Sequence, residues 1–321
     1  MEKKISVVIP TYNRPTLLLN CLSALEKQTL NKADFEVLVV HDGPYNKNAF
    51  EQIGLENFNL DLILLRTKIK KGPAAARNLG WLQAKYQVVA FTDDDCLPDE
   101  HWLQEILEGY HFEKFIAYTG KTIVPLPEMP SDFERNTAGL ATAAFITANC
   151  ACTKDALLEV GGFDERFGLA WREDSDLEFK LIQHKIPIRR NNAAIVVHPV
   201  RAAPWGVSLK EQKKGLYDVL LFKKYPELYR QKIHQSIVNY YLIILLSIVA
   251  VIASGSGYKT LAKLAAIALL LPFGSFFFKR ISQTQKSARH ISEMLITSLL
   301  IPFLSVYWRG YGILKFKKLL F

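Results

Sequence analysis

The chain has 321 residues, half of them hydrophobic, with a formal net charge of +9. That length suits one large α/β domain with an appendage, and four cysteines without histidine pairing at zinc spacing exclude a disulfide scaffold or a zinc module and fit reduced thiols. The basic surplus gathers around apolar C-terminal stretches, so it points to anionic lipid and not to nucleic acid.

In chain order, residues 5–10 read as a buried strand, apolar and β-branched and stopped by Pro10. A loop holding Thr11, Tyr12 and Arg14 follows, then a helix over 16–28 with apolar residues at Leu18, Cys21, Leu22 and Leu25. Residues 35–40 are a second strand ending in the turn His41-Asp42-Gly43-Pro44, 48–55 a helix, and 60–66 a third strand. Gly72-Pro73 opens a helix to about Ala84, and the strand Val88-Val89-Ala90-Phe91 ends in Asp93, Asp94 and Asp95. Strands alternating with helices over short connections predict a mostly parallel, Rossmann-like sheet covered on both faces. The loops bearing Tyr12, Asp42 and the acidic triplet then gather on one edge, where ligands bind in such sheets.

Further on, 98–110 reads as a helix, 117–124 as a strand, and the proline-rich 125–136 as a mobile loop. Residues 141–153 read as strand or core, 154–160 as a short helix ended by Gly161-Gly162, 177–184 as a helix behind Arg172-Glu173-Asp174, and 186–198 as a last extended stretch. From Val207 the character changes: 207–229 reads as an amphipathic helix lying on a surface, broken near Pro226. Residues 237–253 and 261–278 are nearly all apolar, and a helix over 236–255 rises about 30 Å, the thickness of a bilayer core. Basic residues on both flanks predict a hairpin with its ends in the cytoplasm, and 291–308, holding Glu293 and Pro302, is expected to lie in the membrane interface. The amino-terminal apolar run is too short for a secretion signal, so the main domain is expected on the cytoplasmic face of the cell membrane. The expected division is 1–206 as the catalytic domain, 207–235 as an interfacial connector and 236–321 as membrane-associated helices, hairpin 236–278 plus segment 291–308.

Asp93 and Asp95 lie two apart and in extended backbone project to one side. Two carboxylates held together repel unless a cation or proton intervenes, and hard oxygen donors suit Mg²⁺ or Mn²⁺. A solvated acidic turn is the plain alternative. Tyr12 and Asp42 read as a nucleobase clamp or as a rim aromatic and an ordinary turn residue, and Arg77 at a helix start reads as a phosphate contact or a surface salt-bridge partner. Glu173-Asp174 reads either as a helix N-cap or as a base for a hydroxyl nucleophile. His198 reads as a metal ligand, a diphosphate contact or a buried structural histidine.

Taken in order, VVIPTYNRP, VVHDGP, GPAAARNLG, AFTDDDCLP, GGFDERF and REDSDLEFKL resemble the inverting nucleotide-sugar glycosyltransferases of family 2, over about residues 3–200. The resemblance implies a GT-A fold followed here by a helical membrane region. It assigns Thr11, Tyr12, Arg14, Asp42, Arg77, Asp93 and Asp94 to the nucleotide sugar, with Tyr12 and Asp42 at the base and Asp93 at the ribose. Asp95 and His198 go to a divalent metal, Mn²⁺ or Mg²⁺, Asp174 to catalysis, and Glu173 and Trp171 to the acceptor side. Many relatives carry two acids where this chain has His41-Asp42. The implied partners are a nucleotide-sugar donor, a lipid-linked or saccharide acceptor and membrane lipids, with a second copy of the chain as a further candidate. Rival readings are a polyprenyl-phosphate glycosyltransferase, whose nucleophile needs no base, and a non-catalytic nucleotide-sugar-binding scaffold. A transporter is disfavoured by too few apolar segments and no intramembrane charge pairs.

Overall fold

A computed structural model describes residues 3–44, 54–233 and 237–317. It divides into two compact units, Met1–Pro125 with Ala138–Val200, and Leu126–Thr137 with Arg201–Phe321.

The first unit is an α/β domain around one sheet. Strands β1 (Ile5–Thr11), β2 (Phe35–His41), β3 (Leu62–Arg66) and β4 (Val88–Phe91) pair in parallel. With β5 (Leu97–Pro98), β6 (Ala117–Ile123), β7 (Cys150–Thr153) and β8 (Ile188–Val197), the order is β3-β2-β1-β4-β7-β6-β8-β5. β7 is antiparallel to both β4 and β6, while β6 and β8 run parallel.

The sequence pattern explains why both faces are covered. In β1, Ile5, Val7 and Ile9 enter one hydrophobic cluster with Leu18, Leu22 and Trp102, whereas Val8 enters another with Trp81 and Leu157. β2 repeats the alternation, Val37 and Val39 on one side and Leu38 and Val40 on the other, as the period of two requires. Helices α1 (Pro15–Glu26), α2 (Pro73–Gln83) and α3 (Trp102–Gly109) lie after β1, β3 and β5. Each of α1 and α2 starts with proline in its first turn, where the missing N–H costs nothing.

Two expectations are corrected. α3 begins at Trp102 because Leu97 and Pro98 first pair with Val197 and Val196 as β5. The stretch expected as a mobile loop contains α4 (Asp132–Thr137). Its start is a capping box, Glu134 accepting from the Ser131 N–H at 2.6 Å and Ser131 Oγ from the Glu134 N–H at 3.2 Å. Residues 141–153, expected as strand or core, leave a 3₁₀ turn (Ala138–Thr142), are buried from Phe145 on and finish in β7. Of the expected helix over 48–55, residues 48–53 lie outside the described residues; Leu55 opens a 3₁₀ turn. The remaining helices of this unit are α5 (Lys154–Val160) and α6 (Glu173–Gln183).

In the second unit, α7 (Val207–Glu211), α8 (Gly215–Lys224) and α9 (Pro226–Lys232) replace the single interrupted helix expected there. α8 does not lie open on a surface: its residues from Gly215 to Phe222 are all buried. It packs on α12 (Ala288–Phe316), where a Cβ on Gly312 would meet Leu216 Cα and O at 3.0 Å, and where Arg309 pairs with Asp218 at 3.2 Å. Together with α10 (Val238–Gly255) and α11 (Lys259–Ile281), α12 is long and apolar enough to cross a membrane. Pro302 sits inside it without ending it. The three helices fit a membrane anchor, and the side chains of α10 and α11 are mostly exposed, as expected of surface meant for lipid.

All four cysteines, Cys21, Cys96, Cys150 and Cys152, are free and buried in the first unit.

Candidate active site

The carboxyl ends of β1, β2 and β4 bring Tyr12, Asp42 and the acidic triplet to one rim, through the parallel register Thr11 to His41 and Val8 to Phe91. After the triplet the chain turns into β5, whose pairing of Leu97 with Val197 sets Cys96 and His198 beside one another.

The three acids divide their tasks by partner. Asp94 is 2% exposed and turned inward. It accepts from Thr11 Oγ1 at 2.8 Å and pairs with Arg14 Nη1 at 3.1 Å. Burial pushes its carboxyl up to about 6, against the pull of Arg14 and Thr11. Thr11, Arg14 and Asp94 thus tie β1 to β4. Asp93 and Asp95 belong to a different group, in which one ligand atom from each of Asp93, Asp95, Cys96 and His198 lies within 4.8 Å of all the others. His198 Nε2 is 3.7 Å from Asp95 Oδ1. Two carboxylates and an imidazole form a donor set that fits Mn²⁺, with Mg²⁺ less suited to the nitrogen. Burial pushes the Cys96 thiol well above its ordinary value, and a soft sulfur donor is less suited to either ion than the oxygens.

Arg77 joins the two acidic centres. Its guanidinium is buried, with Nη2 at 2.6 Å from Asp93 Oδ1 and Nη1 at 3.1 Å from Glu173 Oε1. Burial pushes the Asp93 carboxyl up, but Arg77 and the other cations nearby outweigh it and hold Asp93 below the ordinary carboxylate range. Glu173 is pushed up to about 7, mainly by burial, since Arg77 offsets only part of it. Its Oε2 has no hydrogen-bond partner among the described residues. Arg77, expected near a diphosphate, bonds two carboxylates, and its Nε has no hydrogen-bond partner among the described residues. Glu173, expected on the acceptor side, is buried against Arg77.

Asp174 is not the N-cap. The cap position of α6 is Arg172, in the left-handed region at φ 73°, and no side chain caps the helix. Asp174 lies in the first turn, its Oδ1 accepting from the Ser175 N–H at 2.7 Å. Burial raises its carboxyl above the ordinary value despite the Ser175 amide, Arg172 and Arg77. Beside it Trp171 is partly exposed, with the Arg172 guanidinium 4.6 Å from its ring centroid.

At the other end of the rim, Asp42 is buried, its oxygens accepting from the N–H groups of Lys71 and Gly72, each at 2.8 Å. Asp42, expected at the nucleobase, thereby braces the loop that precedes α2. Tyr12 stays partly exposed, with Lys70 Nζ 3.4 Å from its ring centroid; a base stacking on that face displaces the ammonium. His41 is buried, its ring 5.6 Å from that of Tyr12 and its Nδ1 2.8 Å from Gly43 O.

Sequence reasoning missed Asn78, which clamps the segment before α6. It donates to Phe163 O and accepts from the Phe163 N–H, both at 2.9 Å, while Trp81 Nε1 donates to its Oδ1 at 2.9 Å. Phe163 then sits 5.7 Å from the Arg77 guanidinium. The adjacent Arg77-Asn78 in one motif and Gly162-Phe163 in another were the available signal. Gly72 is the second tie: at φ 106°, a Cβ there would meet Gly168 O at 2.6 Å and Gly168 Cα at 2.8 Å. Gly72→Ala should therefore cost on the order of 1–3 kcal/mol, read by thermal unfolding of the full chain. Gly139→Ala, with open space around it, should change stability by less than about 0.5 kcal/mol. Equal effects of the two would dismiss the close approach.

A mostly parallel sheet with paired carboxylates at its switch edge and a second acidic helix start beside them is the arrangement of a GT-A sugar-nucleotide transferase. Residues 6–149 match the family model Glycosyl transferase family 2. Its relatives are glycosyltransferases. It is 29% identical over 216 residues to the pre-mycofactocin glycosyltransferase of Mycobacterium tuberculosis, covering 62% of this chain and 43% of that protein. It is 27% identical over 272 residues to the chondroitin synthase of Escherichia coli, covering 71% and 39%. The chain thus spans less than half of the length of these curated relatives. Among solved structures, the mannosyltransferase of Pyrobaculum calidifontis in complex with GDP-Man and Mn²⁺ superposes with a TM-score of 0.57 at 17% identity, covering 96% of this chain and 88% of that one. That likeness bears on the fold.

Proposed function

We propose that the protein is a membrane-anchored, inverting glycosyltransferase. It moves a sugar from a nucleoside-diphosphate donor to a hydroxyl of a lipid-linked saccharide, in cell-surface polysaccharide or glycolipid synthesis. The observation that carries this reading is Arg77, whose one guanidinium bonds Asp93 and Glu173 and so fixes the metal-type cluster close to the acidic start of α6. Support comes from the GDP-Man and Mn²⁺ in the mannosyltransferase of similar fold, and from relatives named for saccharide synthesis.

In this reading Tyr12 and the Asp42-braced loop receive the nucleotide. Asp95 and Asp93, with His198, would hold the divalent ion, which supplies charge neutralisation for the departing nucleoside diphosphate. Asp174 takes the proton from the acceptor hydroxyl. The hydroxyl oxygen then forms its bond to the anomeric carbon as the bond from that carbon to the diphosphate oxygen breaks, from the opposite face. Arg77 keeps Asp93 ionised and Glu173 in place, and the Asn78 clamp keeps α6 aligned.

The test is release of nucleoside diphosphate from a panel of UDP- and GDP-sugars, with and without a membrane lipid extract. Release stimulated by the extract is expected; no release from any donor would defeat the reading. For orientation, the expectation is a cytoplasmic catalytic unit and a hairpin of α10 and α11. Labelling of sealed cells should then reach the turn at residues 254–258 from outside and the basic tail at 315–318 only after permeabilisation. Labelling of that tail from outside would mean that α12 crosses the membrane.

A further inference from the structure

The second unit contains a buried charge that the proposed chemistry does not use. Arg280, at the end of α11, is 8% exposed, and its five N–H donors are all engaged. Nε and Nη2 bond Asp132 Oδ2 at 3.3 and 2.7 Å, Nη2 also reaches Ser208 Oγ at 3.2 Å, and Nη1 donates to Thr297 Oγ1 at 2.7 Å and Ser298 Oγ at 3.0 Å. A buried guanidinium satisfied this fully is costly to assemble and strongly directional. Asp132 opens α4, on the stretch Leu126–Thr137 that leaves the chain between β6 and β7 and belongs to the second unit. Two further bonds fasten the same stretch: Arg135 Nη1 donates to Ser282 O at 2.8 Å, and the Gln285 N–H to Pro130 O at 2.9 Å. The second of these joins backbone to backbone, so it holds whatever side chains surround it. On its return the chain reaches Ala148, whose carbonyl accepts from the hydroxyl of Thr92, the residue before Asp93, at 3.0 Å.

We propose that the Arg280–Asp132 ion pair is a latch that couples the membrane helices to the strand end beside Asp93, so that transfer to a membrane-borne saccharide depends on it. This rests on the glycosyltransferase reading. Arg280 and Asp132 are positioning residues: they act through the chain from residue 126 to residue 149 and touch no reacting atom. The planar fork and its five bonds also mean that lysine cannot replace Arg280.

The test uses the full chain in nanodiscs of phosphatidylethanolamine and phosphatidylglycerol. Asp132→Asn leaves Arg280 buried without its counter-charge and can fail to fold, so the deciding variant is Asp132→Asn with Arg280→Met, which removes both charges together. Two readouts are taken. Hydrogen exchange at residues 143–149 is expected to quicken at least fivefold in the double variant. With the best donor of the UDP- and GDP-sugar panel, transfer to lipid extract is expected to fall at least tenfold while donor hydrolysis changes less than twofold, and Asp132→Glu should recover part of the transfer. Unchanged exchange at 143–149, or transfer and hydrolysis falling by one common factor, would overturn the latch. A wild-type chain that turns over no donor counts against the glycosyltransferase reading instead, and the exchange measurement then decides the latch by itself.

Discussion

Asp174→Asn should retain the fold and donor binding while transfer to a hydroxyl acceptor falls by a factor of ~10²–10⁴, the usual contribution of a general base. The amide oxygen of asparagine can accept the same Ser175 N–H that Asp174 accepts at 2.7 Å. Because Arg172 occupies the cap position, the substitution removes no cap. It removes only a first-turn charge, at a cost of about 0.3–1 kcal/mol. Burial raises the Asp174 carboxyl, so the base is protonated at acid pH, and transfer should climb with pH through the raised pKa before levelling. Glu173, pushed up to about 7, titrates beside it, and the observed limb belongs to the pair; Glu173→Gln separates the two. Stability has the opposite sign. Acids raised in the folded state favour folding below their unfolded pKa, and that contribution is lost as pH rises through the folded value. A near wild-type rate for Asp174→Asn would sink the base assignment and favour a phosphate nucleophile, which is already ionised.

The second large effect is expected at Asp95. Chelation should abolish transfer, Mn²⁺ or Mg²⁺ should restore it, and Asp95→Ala should respond to neither, with a loss on the order of 10²–10³ in rate. Binding can also be read without turnover: Mn²⁺ should raise the unfolding temperature of the wild type and leave that of Asp95→Ala unchanged. Asp94→Asn is the informative contrast. Its carboxylate is committed to Thr11 and Arg14, so stability should fall while the midpoint of the Mn²⁺ titration moves less than twofold. Full activity of Asp95→Ala in chelator would end the metal assignment.

The strands of the first unit were legible in the sequence because burial on two faces writes itself as alternating or continuous apolar runs, as in β1 and β2. The acidic triplet was legible as a site, yet the division within it was not. Which acid turns inward is decided by Thr11 and Arg14, both remote in sequence. The same holds for Arg77, legible as a cation at a helix start behind a Gly-Pro turn, whose bonds to Asp93 and Glu173 on either side were not. Asp42 was legible as a turn aspartate, but its hold on the Lys71 and Gly72 amides, about thirty residues on, was not. The helix at Asp132 could have been read, since Ser131 and Glu134 have the spacing of a capping box; three nearby prolines outweighed it. Packing of α8 on α12 was hidden because a lysine-flanked apolar helix reads alike whether lipid or protein covers it.

The buried cysteines have a practical consequence for labelling. Thiol reagents attack the thiolate, and they need access to it. Cys21, Cys96, Cys150 and Cys152 offer neither: all are buried, and burial pushes each thiol above its ordinary value. While folded, the natural chain should stay silent toward a membrane-impermeant maleimide and already serves as a cysteine-free background. A single Ser256→Cys in the turn between α10 and α11 would then be the one group to react.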